Sequence, residues 1–249
     1  MRAASILPFL RATAFVLAIV TFPPTSPSSA ETLTFDTLDL PPFGFMSDDG
    51  HMVGSAFDIA NAIAEEAGLE IDNALVPLTR IIRNLERDRP SCTIVTRSPY
   101  SEGFSIPVAD IHIPLYGGAI ALKSTEINSY NDLNGLVIGL TRGAHLEHAF
   151  DKDPNLEKNF LDDDGQVAKM LQMSRIDVAV GSLEAIRYNL TQLGVLSEEL
   201  GEPLIFVQRD MWLHCAKSMQ DGDLFTRLRE ATERLHKQGV IQAIWSRYE

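Results

Sequence analysis

Two hydrophobic periods alternate along the first part of the chain. Alternating apolar and polar residues predict a strand at residues 33–38, residues 71–76 are predicted as the next strand, and the apolar, β-branched run at Cys92–Thr96 predicts a buried third strand. Apolar residues three or four positions apart predict helices over residues 55–67 and 79–87. This order of strand, helix, strand, helix and strand predicts parallel pairing with right-handed crossovers.

The strand ends of this unit predict a ligand site. The carboxyl ends of parallel strands lie together, so the aromatic loop at residues 41–45 and the polar segment at residues 96–101 should share one edge of the sheet. Polar side chains and free backbone N–H groups at such an edge commonly bind ligands.

The rest of the chain predicts a second, smaller α/β unit. Strands are predicted at residues 117–123, 136–140 and 176–180, helices at residues 144–150, 166–173 and after Ser182, and an exposed polar connection at residues 151–164. Strands at residues 205–207 and 212–216 and an amphipathic helix at residues 223–238 complete the pattern. The backbone N–H groups of residues 141–145 and of residues 181–182 are predicted at helix starts, where anionic or acceptor groups are favoured.

The net charge and the N-terminal segment limit the possible partners of the protein and its compartment. The formal net charge of −13, without a cluster of Lys and Arg, argues against nucleic acid as a partner. Residues 1–30 combine Arg2 and Arg11 with an apolar run and small residues before Ala30, as a cleaved signal peptide does. Removing them leaves a charge of −15, because the segment contains no Asp or Glu. We therefore expect an exported, acidic, periplasmic protein.

Cys92 and Cys215 permit one disulfide in an oxidising compartment. Both lie in apolar, strand-like runs, where a buried free thiol is equally ordinary, and we favour two free thiols. Neither cysteine has metal-ligand spacing, so no metal or other cofactor is expected.

Six segments in this order resemble the family 3 extracellular solute-binding proteins, the periplasmic receptors of polar amino-acid importers. They read PPFGF (41–45), GSAFDIANAIA (54–64), TRSP (96–99), NDLNGLVIG (131–139), RIDVAV (175–180) and GVIQAIWSRY (239–248). The resemblance covers the chain after the signal peptide and implies a type II periplasmic-binding-protein fold, α/β, with two lobes. Each lobe would be a small, mostly parallel sheet flanked by helices, and two extended crossings would join them. The expected lobes are residues 31–112 with 216–249, and residues 113–215.

The resemblance also implies a set of ligand-binding residues between the lobes. The first lobe would contribute Phe43, Phe45, Thr93, Ile94, Thr96, Arg97 and Ser101, and the second Thr141, Arg142, Ala144, His145 and Ser182. Ser101 and Ser182 stand where amino-acid receptors carry the Arg for the ligand carboxylate and the Asp for its ammonium group, which argues against an ordinary α-amino acid.

The two arginines of that set have two interpretations each. Arg97, with Arg142 opposite, could bind a ligand carboxylate or phosphate. The alternative is that they pair with surface carboxylates; we weigh the two equally for Arg97 and favour the alternative for Arg142.

Three functions follow from the resemblance. The first is a monomeric, hinge-closing receptor that binds a small polar molecule, neutral or anionic, and delivers it to a membrane transporter. The second is an enzyme similar to cyclohexadienyl dehydratases, with His145, Glu184 and Arg97 as acid, base and anion contact. The third is an accessory subunit of a periplasmic dehydrogenase or sensor system. The sequence contains no nucleophile elbow, metal cluster or phosphate loop, so we favour a receptor without catalytic activity.

Overall fold

The computed structural model describes residues 32–144, 146–220 and 222–248; the predicted signal peptide and His145 lie outside the described residues. The strands are β1 (Thr32–Leu38), β2 (Phe45–Met46), β3 (Met52–Val53), β4 (Glu70–Val76), β5 (Cys92–Thr96), β6 (Ile106–Ile120), β7 (Val137–Thr141), β8 (Glu157–Leu161), β9 (Val178–Ser182) and β10 (Leu204–Cys215). The helices are α1 (Ser55–Glu66), α2 (Leu78–Glu86), α3 (Pro99–Phe104), α4 (His148–Lys152), α5 (Asp164–Gln172), α6 (Leu183–Gln192), α7 (Leu224–Lys237) and α8 (Val240–Trp245).

The main sheet runs through two lobes in the order β4-β1-β5-β10-β6-β9-β7-β8. In the first lobe β1 pairs in parallel with β4 and β5, and in the second lobe β7 pairs in parallel with β8 and β9. The long strands β6 and β10 pair antiparallel with each other and cross from lobe to lobe. The predicted α/β, two-lobed architecture is thus confirmed.

Each lobe has its own apolar core. Ile59 and Ile63 of α1 and Leu228 of α7 are buried against the first-lobe strands, as the spacing of apolar residues predicts. In the second lobe, one face of the sheet buries Phe150 and the other buries Ile186. None of the described helices combines the length and the apolar character needed to cross a membrane.

Several predicted element boundaries are wrong. β6 begins at Ile106 rather than at residue 117. Its prolines and glycines hide the strand pattern in the sequence. The strand accommodates them because its register against β10 shifts near these residues. β10 is one strand rather than two. The segment predicted as an exposed connection contains β8, an edge strand whose largely polar sequence lacks a strand period. α4 begins at His148, four residues later than predicted.

The predicted lobe boundaries lie on the crossing strands. Residue 112 is inside β6, and residue 215 ends β10, which pairs with β5 from Met211 to Cys215 and with β6 along most of its length. The boundaries therefore stay predictions, while the crossings themselves are part of the structure.

Cys92 and Cys215 form a disulfide, so the prediction of two free thiols is wrong. The antiparallel pairing of β5 with β10 places the two residues directly opposite each other, and both are fully buried. This register brings together residues 123 positions apart in sequence, which the local apolar pattern around each cysteine does not reveal.

Candidate functional site

Aromatic side chains meet where the lobes face each other. The ring of Phe45, the first residue of β2, lies 5.5 Å from that of Tyr188 on α6 and 6.3 Å from that of Tyr248, which follows α8. Since α6 belongs to the second lobe, the first of these contacts bridges the lobes. Ala185 of the same helix is buried within the first-lobe core.

Polar contacts fix Tyr248 in this position. Its hydroxyl donates to Asp58 Oδ2 at 2.7 Å and accepts the backbone N–H of Gly54 at 3.1 Å. Burial, and then the hydrogen bond to Asp58, raise the pKa of Tyr248. The resemblance pointed to the closing motif that contains Tyr248, but not to this role.

Three predicted ligand contacts are not accessible. Phe43 is 3% exposed and packs on Trp245, with ring centroids 6.1 Å apart. The side chains of Thr93 and Ile94 are 0% and 2% exposed within the first lobe. Both residues lie in the buried first part of β5. Of the three ligand contacts predicted on this strand, only Thr96 at its end is partly exposed.

Arg97 follows β5 and is engaged by its neighbours. Its Nε lies 2.6 Å from Glu102 Oε1, and its guanidinium carbon lies 4.3 Å from the centroid of the Trp212 ring. The alternative interpretation, pairing with a surface carboxylate, is therefore the one that the structure shows.

Ser101 helps to begin a helix. Its hydroxyl oxygen accepts the backbone N–H of Ser98 at 3.0 Å, while the Ser98 hydroxyl accepts the backbone N–H of Ser101 at 3.2 Å. This reciprocal cap starts α3 and buries Ser101. Ser101 thus has a capping role in α3, while its predicted contact with a ligand stays a prediction.

The loop after β7 is not a helix start. The Thr141 hydroxyl donates to Asp164 Oδ1 at 2.6 Å. Ala144 lies in a turn, and its backbone N–H donates to the carbonyl of Thr141. Arg142 is exposed, donates to the carbonyl of Phe160 and lies 4.0 Å from Asp162 Oδ1. The predicted helix N-terminus at residues 141–145 is thus wrong, because α4 begins later.

Two carboxylates of the second lobe, the buried Asp164 and the half-buried Glu184, have raised pKa values. Burial raises the pKa of Asp164, and its hydrogen bond from Thr141 partly offsets that rise. Burial also raises the pKa of Glu184, whose Oε1 accepts the backbone N–H of Tyr116 at 2.9 Å and whose Oε2 accepts the Ser182 hydroxyl at 3.0 Å. Ser182 caps α6 as predicted.

A cavity of about 670 Å³ opens within the second lobe; we call it the second-lobe cavity. It lies between residues 143–144 and 146–152 on one side and strands β7, β8 and β10 on the other. Its lining is Leu140, Gly143, Ala144, Leu146, Glu147, His148, Phe150, Asp151, Lys152, Lys158, Phe160, Phe206, Val207 and Arg209. Ala144 alone of these was predicted as a ligand contact, and the sequence carried no signal for Arg209.

The fold and this arrangement define the class: the chain has the type II periplasmic-binding-protein fold, and its resemblance to the family 3 extracellular solute-binding proteins is confirmed. Residues 35–101 match the family of bacterial extracellular solute-binding proteins, family 3.

Particular relatives support this class. The L-cystine-binding protein TcyJ of Escherichia coli K12 is 23% identical over 216 residues, which cover 82% of this chain and 77% of that protein. A Streptococcus pneumoniae ABC uptake transporter substrate-binding protein with bound histidine superposes with a TM-score of 0.72 at 20% identity, over 87% of this chain and 92% of its own. An ancestral arginine-binding protein bound to arginine gives a TM-score of 0.70 at 21% identity, over 87% and 97% of the two chains.

Proposed function

We propose that this protein is a periplasmic receptor that encloses a small polar molecule between its lobes and delivers it to a membrane transporter. It is exported through a cleaved signal peptide, acts as a monomer and has no catalytic role. The bridge between Phe45 and Tyr188 is the observation that carries the proposal, because each ring comes from a different lobe. With the lobes linked through two long strands, β6 and β10, such a contact can form and break as the lobes close and open.

The chemistry of the cleft disfavours an ordinary α-amino acid as the ligand. The similar proteins described above include an L-cystine-binding protein, an arginine-binding protein and a transporter substrate-binding protein with bound histidine. In this chain Ser101 and Ser182 instead cap helices. An ammonium or carboxylate group buried at these positions would lack its charged partner, which costs several kcal/mol.

Arg97 is not the replacement that an anionic ligand would require. A ligand carboxylate would have to displace Glu102 from the Arg97 guanidinium, which is also stacked on Trp212. Arg142 is exposed and lies near Asp162. An anionic ligand would therefore need a different cationic side chain, and a neutral ligand would need a set of neutral hydrogen-bonding groups.

Catalysis is not the function that the geometry favours. Both carboxylate oxygens of Glu184 accept hydrogen bonds: the one from the backbone N–H of Tyr116 joins α6 to the crossing strand β6, and the one from the Ser182 hydroxyl lies within the cap of α6. A residue held in this way supports the fold. Incubation with prephenate and arogenate should yield no aromatic product.

A ligand screen tests the proposal directly. The mature protein is heated with each member of a metabolite panel, and freshly purified protein is examined by native mass spectrometry for a bound small molecule. A true ligand at 100 times its dissociation constant should stabilise the protein by about 2.7 kcal/mol. It should also reduce the radius of gyration measured by small-angle X-ray scattering.

A matched pair of variants links binding to the bridge between the lobes. Tyr188→Ala should weaken ligand binding, whereas Tyr100→Ala should leave it unchanged because the ring of Tyr100 is exposed and contacts the ring of Phe104 in its own helix α3 rather than an aromatic of the other lobe. A panel without any stabilising molecule, together with an empty native mass spectrum, would instead support an accessory-subunit role.

A further inference from the structure

We propose that Arg209 and the second-lobe cavity bind the ligand's acidic group, and that the ligand is an organic carboxylate with an apolar body. This inference rests on the proposed receptor function and names the chemical class of its ligand. It assigns to Arg209 the role that the sequence suggested for Arg97.

Arg209 stands at the boundary between the lobes. It precedes Asp210 on β10, and the carbonyl of Asp210 accepts the backbone N–H of Arg97 at 3.0 Å. The backbone of Arg209 therefore lies one residue from a strand contact with the first lobe, and its side chain lines the second-lobe cavity.

The guanidinium of Arg209 has unused hydrogen-bonding capacity. It is partly buried and donates from Nη2 to the carbonyl of Leu146 at 2.9 Å. Within the described part of the chain it forms no ion pair, unlike Arg97 and Arg142, which lie near Glu102 and Asp162. A partly buried guanidinium with most of its five donors open favours an anion, and its planar shape matches a carboxylate.

The remaining lining describes the rest of the ligand. The buried side chains of Leu140 and Phe150 and the partly buried Phe206 and Val207 supply apolar surface. The volume of about 670 Å³ is in the range of small-molecule sites. This combination suits a carboxylate attached to an aliphatic or aromatic group better than a fully polar anion.

Lys158 adds positive potential without competing for the ligand's hydrogen bonds. Its ammonium group donates to the backbone carbonyls of Phe150, Asp151 and Asp153. It also lies 4.8 Å from the centroid of the Phe150 ring. Lys158 thus holds the cavity wall in place, and together with Lys152 it offsets the carboxylates of Glu147 and Asp151, which line the same cavity.

Calorimetric titration of the mature protein tests the assignment with defined probes. Phenylacetate and hexanoate are compared with phenylacetamide, hexanamide and inorganic phosphate. We expect both carboxylates to bind at least about tenfold more tightly than their amides, as a charge-assisted pair predicts. Arg209→Gln should reduce carboxylate affinity about tenfold to a hundredfold, to the level of the amides.

Two further variants keep the test decisive. Arg175→Gln removes an exposed arginine from the same lobe and should leave the affinities unchanged. Arg209→Lys keeps the positive charge but loses the planar guanidinium group. It should weaken carboxylate binding less than Arg209→Gln does. If Arg209→Gln does not fold, the affinity of Arg209→Lys provides the test. Amide NMR shifts on titration should cluster at residues 143–144 and 146–152 and around Arg209 in the middle of β10.

Each contrary result has a distinct meaning. The assignment is wrong if no carboxylate binds, if Arg209→Gln binds carboxylates as tightly as the wild type, or if inorganic phosphate binds as well as they do. If a panel ligand loses affinity in Tyr188→Ala but not in Arg209→Gln, the receptor function stands and this assignment fails. Carboxylate binding at Arg209 that leaves the radius of gyration unchanged would support the site and contradict closure of the lobes.

Discussion

Replacing Cys92 and Cys215 together by alanine removes the cross-link between β5 and β10. The disulfide closes a loop that spans 123 residues of sequence and most of the second lobe. By limiting the unfolded chain, a cross-link over a loop of this length stabilises the folded state by about 5 kcal/mol in the chain-entropy model. This contribution is a large part of the free energy of unfolding of a typical domain, which is roughly 5–15 kcal/mol.

Urea unfolding followed by tryptophan fluorescence measures this loss. Trp245 is buried in the first-lobe core and Trp212 lies on β10, so both report on the cross-linked region. With a denaturant slope of about 2 kcal/mol per M, the midpoint of the double variant should fall by about 2.5 M.

The wild type in strong reductant is the matched control. Both sulfurs are fully buried, so the substitutions also remove packing that does not depend on the cross-link. Unfolded wild-type protein cannot re-form the disulfide in reductant, and its midpoint should move most of the way towards that of the variant. A variant within about 1 kcal/mol of the oxidised wild type would refute the reasoning.

Three further predictions concern single contacts. Burial lowers the pKa of His214 to about 4 against 6.5 for the free side chain, so the unfolded chain binds the extra proton and stability should be lost as pH falls from 6.5 to 4, by about 3 kcal/mol in total. His214→Gln should abolish that part of the pH dependence of the urea midpoint, and an unchanged slope would contradict the assignment. Tyr248→Phe removes the hydroxyl bonded to Asp58 and should cost about 1–2 kcal/mol in calorimetric unfolding; an unchanged melting temperature would show that the bond contributes nothing. A double-mutant cycle of Phe45→Ala and Tyr188→Ala should give a coupling energy of about 0.5–1.5 kcal/mol, while additive effects would mean that the two rings do not interact in solution.

The candidate site was only partly predictable from the sequence. The loop that carries Phe45 and the cap at Ser182 were identified because turn and capping residues act locally. Thr93 was predicted as a ligand contact but is fully buried, because its exposure depends on which elements cover the strand. Arg209 gave no signal, since nothing near it in sequence distinguishes it from a surface arginine.

The sequence by itself determined the repeating α/β pattern, the two-lobed class and the faces that the main helices bury. Hydrophobic period and turn chemistry report on neighbours within a few residues, and that is sufficient for helices such as α1 and α7. Only the tertiary structure decided that Cys92 lies opposite Cys215, that Glu102 engages Arg97 and that Arg209 lines a cavity. Such pairings depend on how β10 lies between β5 and β6, and therefore on the register between segments far apart in the chain.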